Sequence, residues 1–143
     1  MQFERKKLKI IKQLKKMKTL TWIIRLIAAA ILVQTLYFKF SAAEESVYIF
    51  STLGIEPYGR IGSGIAELIA AILILIPRTT LIGALMGSGV MIGAIFSHLF
   101  VLGIEVQNDG GTLFILALIV FLCCAFLVFL NKNKIVDLLK FKF

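Results

Sequence analysis

Apolar residues fill this chain in four long runs, at about 20–40, 61–77, 80–103 and 112–130, with short polar interruptions between them. As a helix, each run can cross a hydrocarbon core about 30 Å thick, although the second is short and stops hard at Pro77 and Arg78. The pattern predicts an all-α protein, an integral membrane bundle of four transmembrane helices. Ahead of the bundle, in residues 1–18, Phe3, Ile10, Leu14 and Met17 recur at helical spacing between lysines. That spacing describes an amphipathic segment resting on anionic lipid, or a solvated basic tail. Between the first two runs Ser41-Ala42-Ala43-Glu44 fits the S-x-x-E capping box, and Gly54 stands where a helix would end. Val47, Phe50 and Leu53 share a face between them, so a short helix is expected across the outer surface of the bundle.

Composition agrees with a single membrane domain, 19–130, flanked by basic segments at 1–18 and 131–143. Of the 143 residues 59% are hydrophobic, above the roughly 45–50% of soluble domains, and mean hydropathy is +0.96. Ser41-Ala42-Ala43 resembles a signal-peptide cleavage site. However, the preceding run is about twice the usual 7–15 residues, contains Arg25 and is followed at once by Lys39. A retained first span is therefore expected.

Charge sets the orientation. Thirteen of the sixteen Lys and Arg residues lie in 1–18, at Arg78 or in 131–143, against Lys39 and Arg60 on the other side. The positive-inside rule puts both termini and the turn at Pro77 in the cytoplasm of a cell carrying this chain in its inner or plasma membrane. Glu44, Glu45, Glu56, Glu105 and Asp109 then face outward. Trp22 and Tyr58 suit aromatic anchors at opposite interfaces. The net charge of +8 is thus arranged for lipid and topology, and no nucleic-acid partner is expected.

Polar residues inside the runs carry the functional signal. A carboxylate at a membrane-helix centre costs roughly 2.5–3.5 kcal/mol, and Glu67 stands in such a place with Ser63, Ala70 and Ala71 one turn away. At 1.5 Å per residue Glu67 lies about 9 Å from the outer end of its span, with Gln34 and His98 about as deep and Tyr37 about half as deep. Polar groups from three helices converge at one level, beneath the acidic loop that contains Glu105. The ligand-binding candidates are Glu67, His98, Gln34, Tyr37, Lys39 and Glu105, in a pocket opening outward. The alternative is an internal hydrogen-bonded knot, although such bonds average only about 0.6 kcal/mol in membrane helices. On the pocket reading Glu67→Leu removes a costly buried group, so it should raise stability while abolishing ligand binding.

Other residues carry less. Arg25, close to Trp22, is read as a snorkelling anchor at the inner interface or else as an inner site. Gly83 with Gly87, Gly89 with Gly93, and Gly62 with Ala66 and Ala70 have the small-xxx-small spacing of closely packed membrane helices. Cys123 and Cys124 are adjacent, point about 100° apart on a helix and are expected to be inert thiols. One His and two adjacent Cys form no ligand set, so no metal is expected, and no catalytic motif stands out.

Arg25-Leu26-Ile27-Ala28, the Phe38-Lys39-Phe40 exit, Gly64-Ile65-Ala66-Glu67-Leu68, and Ser97-His98-Leu99 with the following LGIEVQNDGG resemble the DoxX-like family over about 21–130. The resemblance implies a four-helix membrane bundle. It also implies association with quinone-linked or thiol-oxidant redox complexes, as an accessory subunit beside a redox-enzyme partner. Relatives that act as membrane-protein assembly chaperones imply the alternative, a non-enzymatic binder of lipid or of a partner's helix. Membrane lipid, a quinone or lipid ligand and a second copy of the chain are the expected partners.

The charge pattern makes topology testable. Cysteines introduced at Ser46 and Asn108 should react with an impermeant thiol reagent in intact cells, and one at Thr79 should not. Outside labelling at Thr79 overturns the arrangement with both ends inside.

Overall fold

A computed structural model describes residues 1–140; residues 141–143, the end of the basic tail, lie outside the described residues. The helices are α1 (Gln2–Phe40), α2 (Glu44–Thr52), α3 (Tyr58–Leu75), α4 (Thr80–Ser97), α5 (Thr112–Leu130) and α6 (Lys132–Lys140). A π-helical turn, His98–Leu102, continues α4. Among the described residues there is no strand. Four helices are long and apolar enough to cross a membrane: α1, α3, α5 and α4 with its π turn. They form a closed ring in which α1 packs on α3 and α5, and α4 packs on α3 and α5. The short helix α2 lies across one end, touching α1, α3 and the π turn. That end, with the 103–111 loop, is called the loop end; the opposite end, at Pro77 and α6, is the tail end.

The ring is an apolar core inside an apolar rim, as lipid requires. Ala28, Leu32, Ala70, Ile74, Ala84, Cys124 and Leu127 are buried at the centre. Large side chains such as Ile65, Ile72, Leu85, Phe96 and Leu122 cover the outside. Lipid provides no hydrophobic drive between helices, so close backbone approach must hold them together. Gly83 permits it: a Cβ there would stand 2.6 Å from the Ile74 nitrogen and 2.8 Å from the Ala70 carbonyl. Gly87 does the same toward α5, where a Cβ would come within 2.8 Å of the Cys124 sulfur. The packing expected of Gly62, Gly89 and Gly93 is not found, since a Cβ at each meets nothing within 4 Å. On α3 the close approach belongs to Gly64, against the ring of Phe40 at 3.0 Å. Cys123 is half-buried, Cys124 is buried, and both are free thiols.

Three local expectations need revision. The basic segment and the first span form one uninterrupted helix of 39 residues, about 58 Å long. No Gly or Pro occurs in residues 1–40, so nothing breaks the helix for its first turns to lie in the membrane plane. The capping box does not form. Ser41 ends α1, its N–H bonding the Tyr37 carbonyl, and Ala42 turns the chain at φ 53°. The residue preceding α2 is therefore Ala43, which offers no side-chain cap. Gly54 does end the helix region, at φ 75°. Ser46 is buried beneath α2, so of the two outer labelling positions Asn108, which is exposed, is the informative one.

Arg25 is the third revision. Snorkelling would leave its head in the interface, but the residue is only 4% exposed. Its Nε donates to the Ile74 carbonyl at 2.7 Å and its Nη2 to the Leu75 carbonyl at 2.6 Å. Those carbonyls end α3, because Ile76 precedes a proline and is extended, with ψ 120°. A helix end in hydrocarbon has no water to satisfy it. Thr79 donates to the Leu73 carbonyl at 2.9 Å and Thr80 lies 2.9 Å from that of Ile76, so the whole α3–α4 corner is satisfied internally. The guanidinium also stacks 3.9 Å over the ring of Trp22. Arg25 is thus a rivet between α1 and α3, favoured further by the negative end of the helix dipole.

Removing the rivet leaves buried acceptors unpaired. Arg25→Leu should lower the unfolding free energy of the detergent-solubilised chain by about 2–3 kcal/mol, and Arg25→Lys should lose less. Equal stability of Arg25→Leu and the parent chain contradicts this role.

Candidate functional site

The second half of the ring, toward the loop end, is not filled. Between Val90, Ala94 and Ser97 of α4 and the facing walls of α1, α3 and α5 lies a cavity of about 650 Å³, within the roughly 300–1,000 Å³ range of small-molecule pockets. It follows α5 from Thr112 to Val120, about 12 Å along the helix. Its inner floor is apolar, with Leu32, Met91 and Val120; α2 roofs it with Ile49, Phe50 and Leu53. Polar side chains gather toward the loop end, so the space is amphipathic from one end to the other.

Glu67 borders this cavity and is 2% exposed. Its Oε1 is paired with the ammonium of Lys39, which reaches it from the last turn of α1. The Thr35 hydroxyl, one turn earlier on the same face of α1, lies 2.9 Å from Oε2 and 2.8 Å from the Leu32 carbonyl, and can donate to either. A second ion pair steadies the first from outside. Arg60, itself buried, donates to both carboxylate oxygens of Glu56 at 2.8 and 3.1 Å and to the carbonyl of Lys39. The guanidinium therefore fixes the backbone from which the Lys39 side chain descends.

His98 opens the π turn and is 5% exposed. Its Nδ1 lies 2.9 Å from the Gly103 carbonyl, and its ring meets Phe114 edge-on at 5.6 Å. A carbonyl only accepts, so in the neutral ring Nδ1 carries the proton and Nε2 keeps a lone pair. Below the loop, Asp109 ties the turn into α5. Its Oδ1 accepts from the N–H groups of Val106 and Gly111 at 2.9 and 2.8 Å, and Oδ2 from Leu113 at 3.1 Å. Partial burial pushes this carboxyl up, but the three N–H donors, joined by His98 whenever that ring is protonated, outweigh it and hold the group below its ordinary value.

The cavity gathers Glu67, His98, Gln34 and Lys39 from the sequence-derived candidates. Tyr37 is not among its walls: two residues from Thr35 and so about 200° around α1, it is 72% exposed and packs edge-on against Phe38. Glu105 is exposed on the loop and also stands apart from it, and Arg25 belongs to the tail end. The direct partner of Glu67 is Lys39, not His98 or Gln34. Thr35, Ser46 and Asp109 were missed. Thr35 stands four residues before Lys39, a spacing that could have revealed their shared face. Ser46 needs α2 folded over the ring, which no local pattern announces.

The geometry defines a small four-helix integral membrane protein with an amphipathic cavity inside its bundle. The family model described as the DoxX-like family matches residues 23–128, and the chain belongs to that family. No curated protein and no solved structure matches the chain.

The ion pair changes the expectation for Glu67→Leu. Deleting the carboxylate strands the Lys39 ammonium, whose side chain is 15% exposed, inside the ring. The single substitution should cost on the order of 2–3 kcal/mol, the low side of values for fully buried pairs because Lys39 keeps some access to water. Lys39→Met combined with Glu67→Leu should recover most of that loss. A double-mutant cycle of thermal stability in detergent measures the coupling, and additive losses would show that the two groups are independent.

Proposed function

We propose that this chain is a DoxX-like membrane protein that binds an amphipathic small molecule in its intramembrane cavity, as an accessory subunit of a quinone-linked or oxidative-stress redox system. The protein would lie in the cell membrane with both termini in the cytoplasm, as its basic flanks favour, so the cavity would open on the outer side. The observation that carries the reading is the two-ended cavity: about 650 Å³, polar at Lys39, Glu67 and His98, apolar at Leu32, Met91 and Val120. A quinone-type head ring with hydrogen-bonding oxygens suits the polar end, and the start of its tail suits the apolar end. The protein's part in the chemistry is to bind and orient the ring; electrons would come from a partner enzyme.

One observation favours a second reading. Glu67 is already engaged by Lys39 and Thr35, so the carboxylate is not a free acid awaiting a proton. A non-enzymatic carrier of lipid, or a chaperone that holds a partner's helix under α2, needs no proton transfer and uses the same cavity.

A ligand that binds only the folded chain stabilises it, by about 2.7 kcal/mol at a hundred times its dissociation constant. A short-tail quinone should therefore raise the Tm of the purified chain in mild detergent. Ala94→Leu, on the α4 wall of the cavity, takes up part of that space and should lose that rise. A response to neutral lipid but not to quinone favours the carrier, and no response to either defeats the cavity reading.

A further inference from the structure

The loop end contains two cations and six carboxylates. Between Arg25 and Lys132 the only basic residues apart from Arg78, at the tail end, are Lys39 and Arg60. Each is consumed: Lys39 by Glu67, and Arg60 by Glu56. Among the described residues Glu44, Glu45, Glu105 and Asp109 have no cationic partner within salt-bridge distance. Two of these four, Glu45 on α2 and Asp109 below the loop, border the cavity itself. Asp109 holds its charge through three backbone donors, so it is ionised wherever the chain is folded near neutral pH.

The hydrogen-bonding balance points the same way. His98 borders the cavity and is more than nine-tenths buried, and its Nε2 has no partner among the described residues. With Nδ1 committed to donating to Gly103 in the neutral ring, that nitrogen keeps a lone pair that a hydrogen-bond donor on a ligand can meet.

We infer that the cavity selects ligands whose head group donates hydrogen bonds and carries no negative charge: hydroxyl-bearing or cationic amphiphiles, with fatty acids and other anionic lipids excluded. The inference rests on the cavity being a ligand site. It adds the charge and hydrogen-bonding sense of the head group, which volume and apolarity leave open. The excess carboxylates repel an anion both at the mouth and within the cavity, where field lines are focused by the surrounding low dielectric. The one ammonium that could receive an anion is already neutralised by Glu67. Of the two forms of a quinone, the hydroxyl-bearing reduced form then fits the His98 lone pair better than the carbonyl form does.

A matched set of ligands tests this on the purified full chain. Para-octylphenol, para-octylbenzylamine, para-octylbenzoate and para-octylanisole share a ring and a tail and differ in the head. Affinities are read from Tm shifts in a neutral detergent near neutral pH. Ala94→Leu, or Ser97→Leu should the first fold poorly, serves as the blocked control for partition into the micelle. The phenol and the protonated amine should bind at least about tenfold more tightly than the benzoate, a gap that shrinks with added salt. The anisole, which has lost its donor, should bind at least about tenfold less tightly than the phenol. Glu45→Lys, at an exposed position, should narrow the gap between amine and benzoate severalfold. Benzoate binding as tightly as the amine overturns the charge selection, and anisole binding as tightly as the phenol overturns the donor requirement; in either case the cavity still stands as a site. If no compound shifts the parent chain beyond the blocked control, the cavity reading fails and this inference fails with it.

Discussion

Hydrocarbon contains no water to solvate a charge, and the ion pair between Lys39 and Glu67 answers that constraint in the loop-end half of the bundle. Its consequences extend outward. Lys39 can reach Glu67 only because α1 and α3 lie side by side, and because Arg60 holds the end of α1 through the Lys39 carbonyl. At the opposite end Arg25 performs the corresponding task for the last carbonyls of α3. The α1–α3 seam is therefore fastened at both ends by cations from α1 and α3, each with its hydrogen-bonding partners inside the protein. Helix association in lipid gains little from apolar burial, so such polar fastenings decide which helices are neighbours.

Between these fastenings the small residues are divided by level. Gly83 and Gly87 bring α4 into backbone contact with α3 and close to α5 toward the tail end, where the core is dry and dense. Gly89 and Gly93, about half a turn and one and two-thirds turns beyond Gly87, lie on the exposed side of α4 with Ile92 and Phe96, and a Cβ at either meets nothing. The ring is thus tight at one end and hollow at the other.

That hollow is roofed by α2 and bordered by groups from every helix of the ring. No residue among those bordering the cavity forms a nucleophile–base pair, and Glu67 is committed to Lys39. Binding, orientation and exclusion of water are what these side chains can supply.

Much of the architecture was legible in the sequence, because in a membrane the dominant signal is local. Four apolar runs, hard stops at Pro77 and at Gly103, and a lone Glu67 each carry their meaning within a few residues. The arrival of Glu67, His98 and Gln34 around one space also followed from depth, since antiparallel helices of known rise share a vertical scale. Azimuth and partnership were decided by the fold. Lys39 reaches down from the end of its span to pair with Glu67, Tyr37 lies on the wrong face, and Arg25 had the length to snorkel but met the end of α3 first. Ser41 matched a capping motif but was used to end the preceding helix. Four glycines of α4 read alike in sequence, yet Gly83 and Gly87 pack against neighbouring helices and Gly89 and Gly93 do not. Depth and apolarity are properties of a segment, whereas contact is a property of two, and only the tertiary structure brings the second one into place.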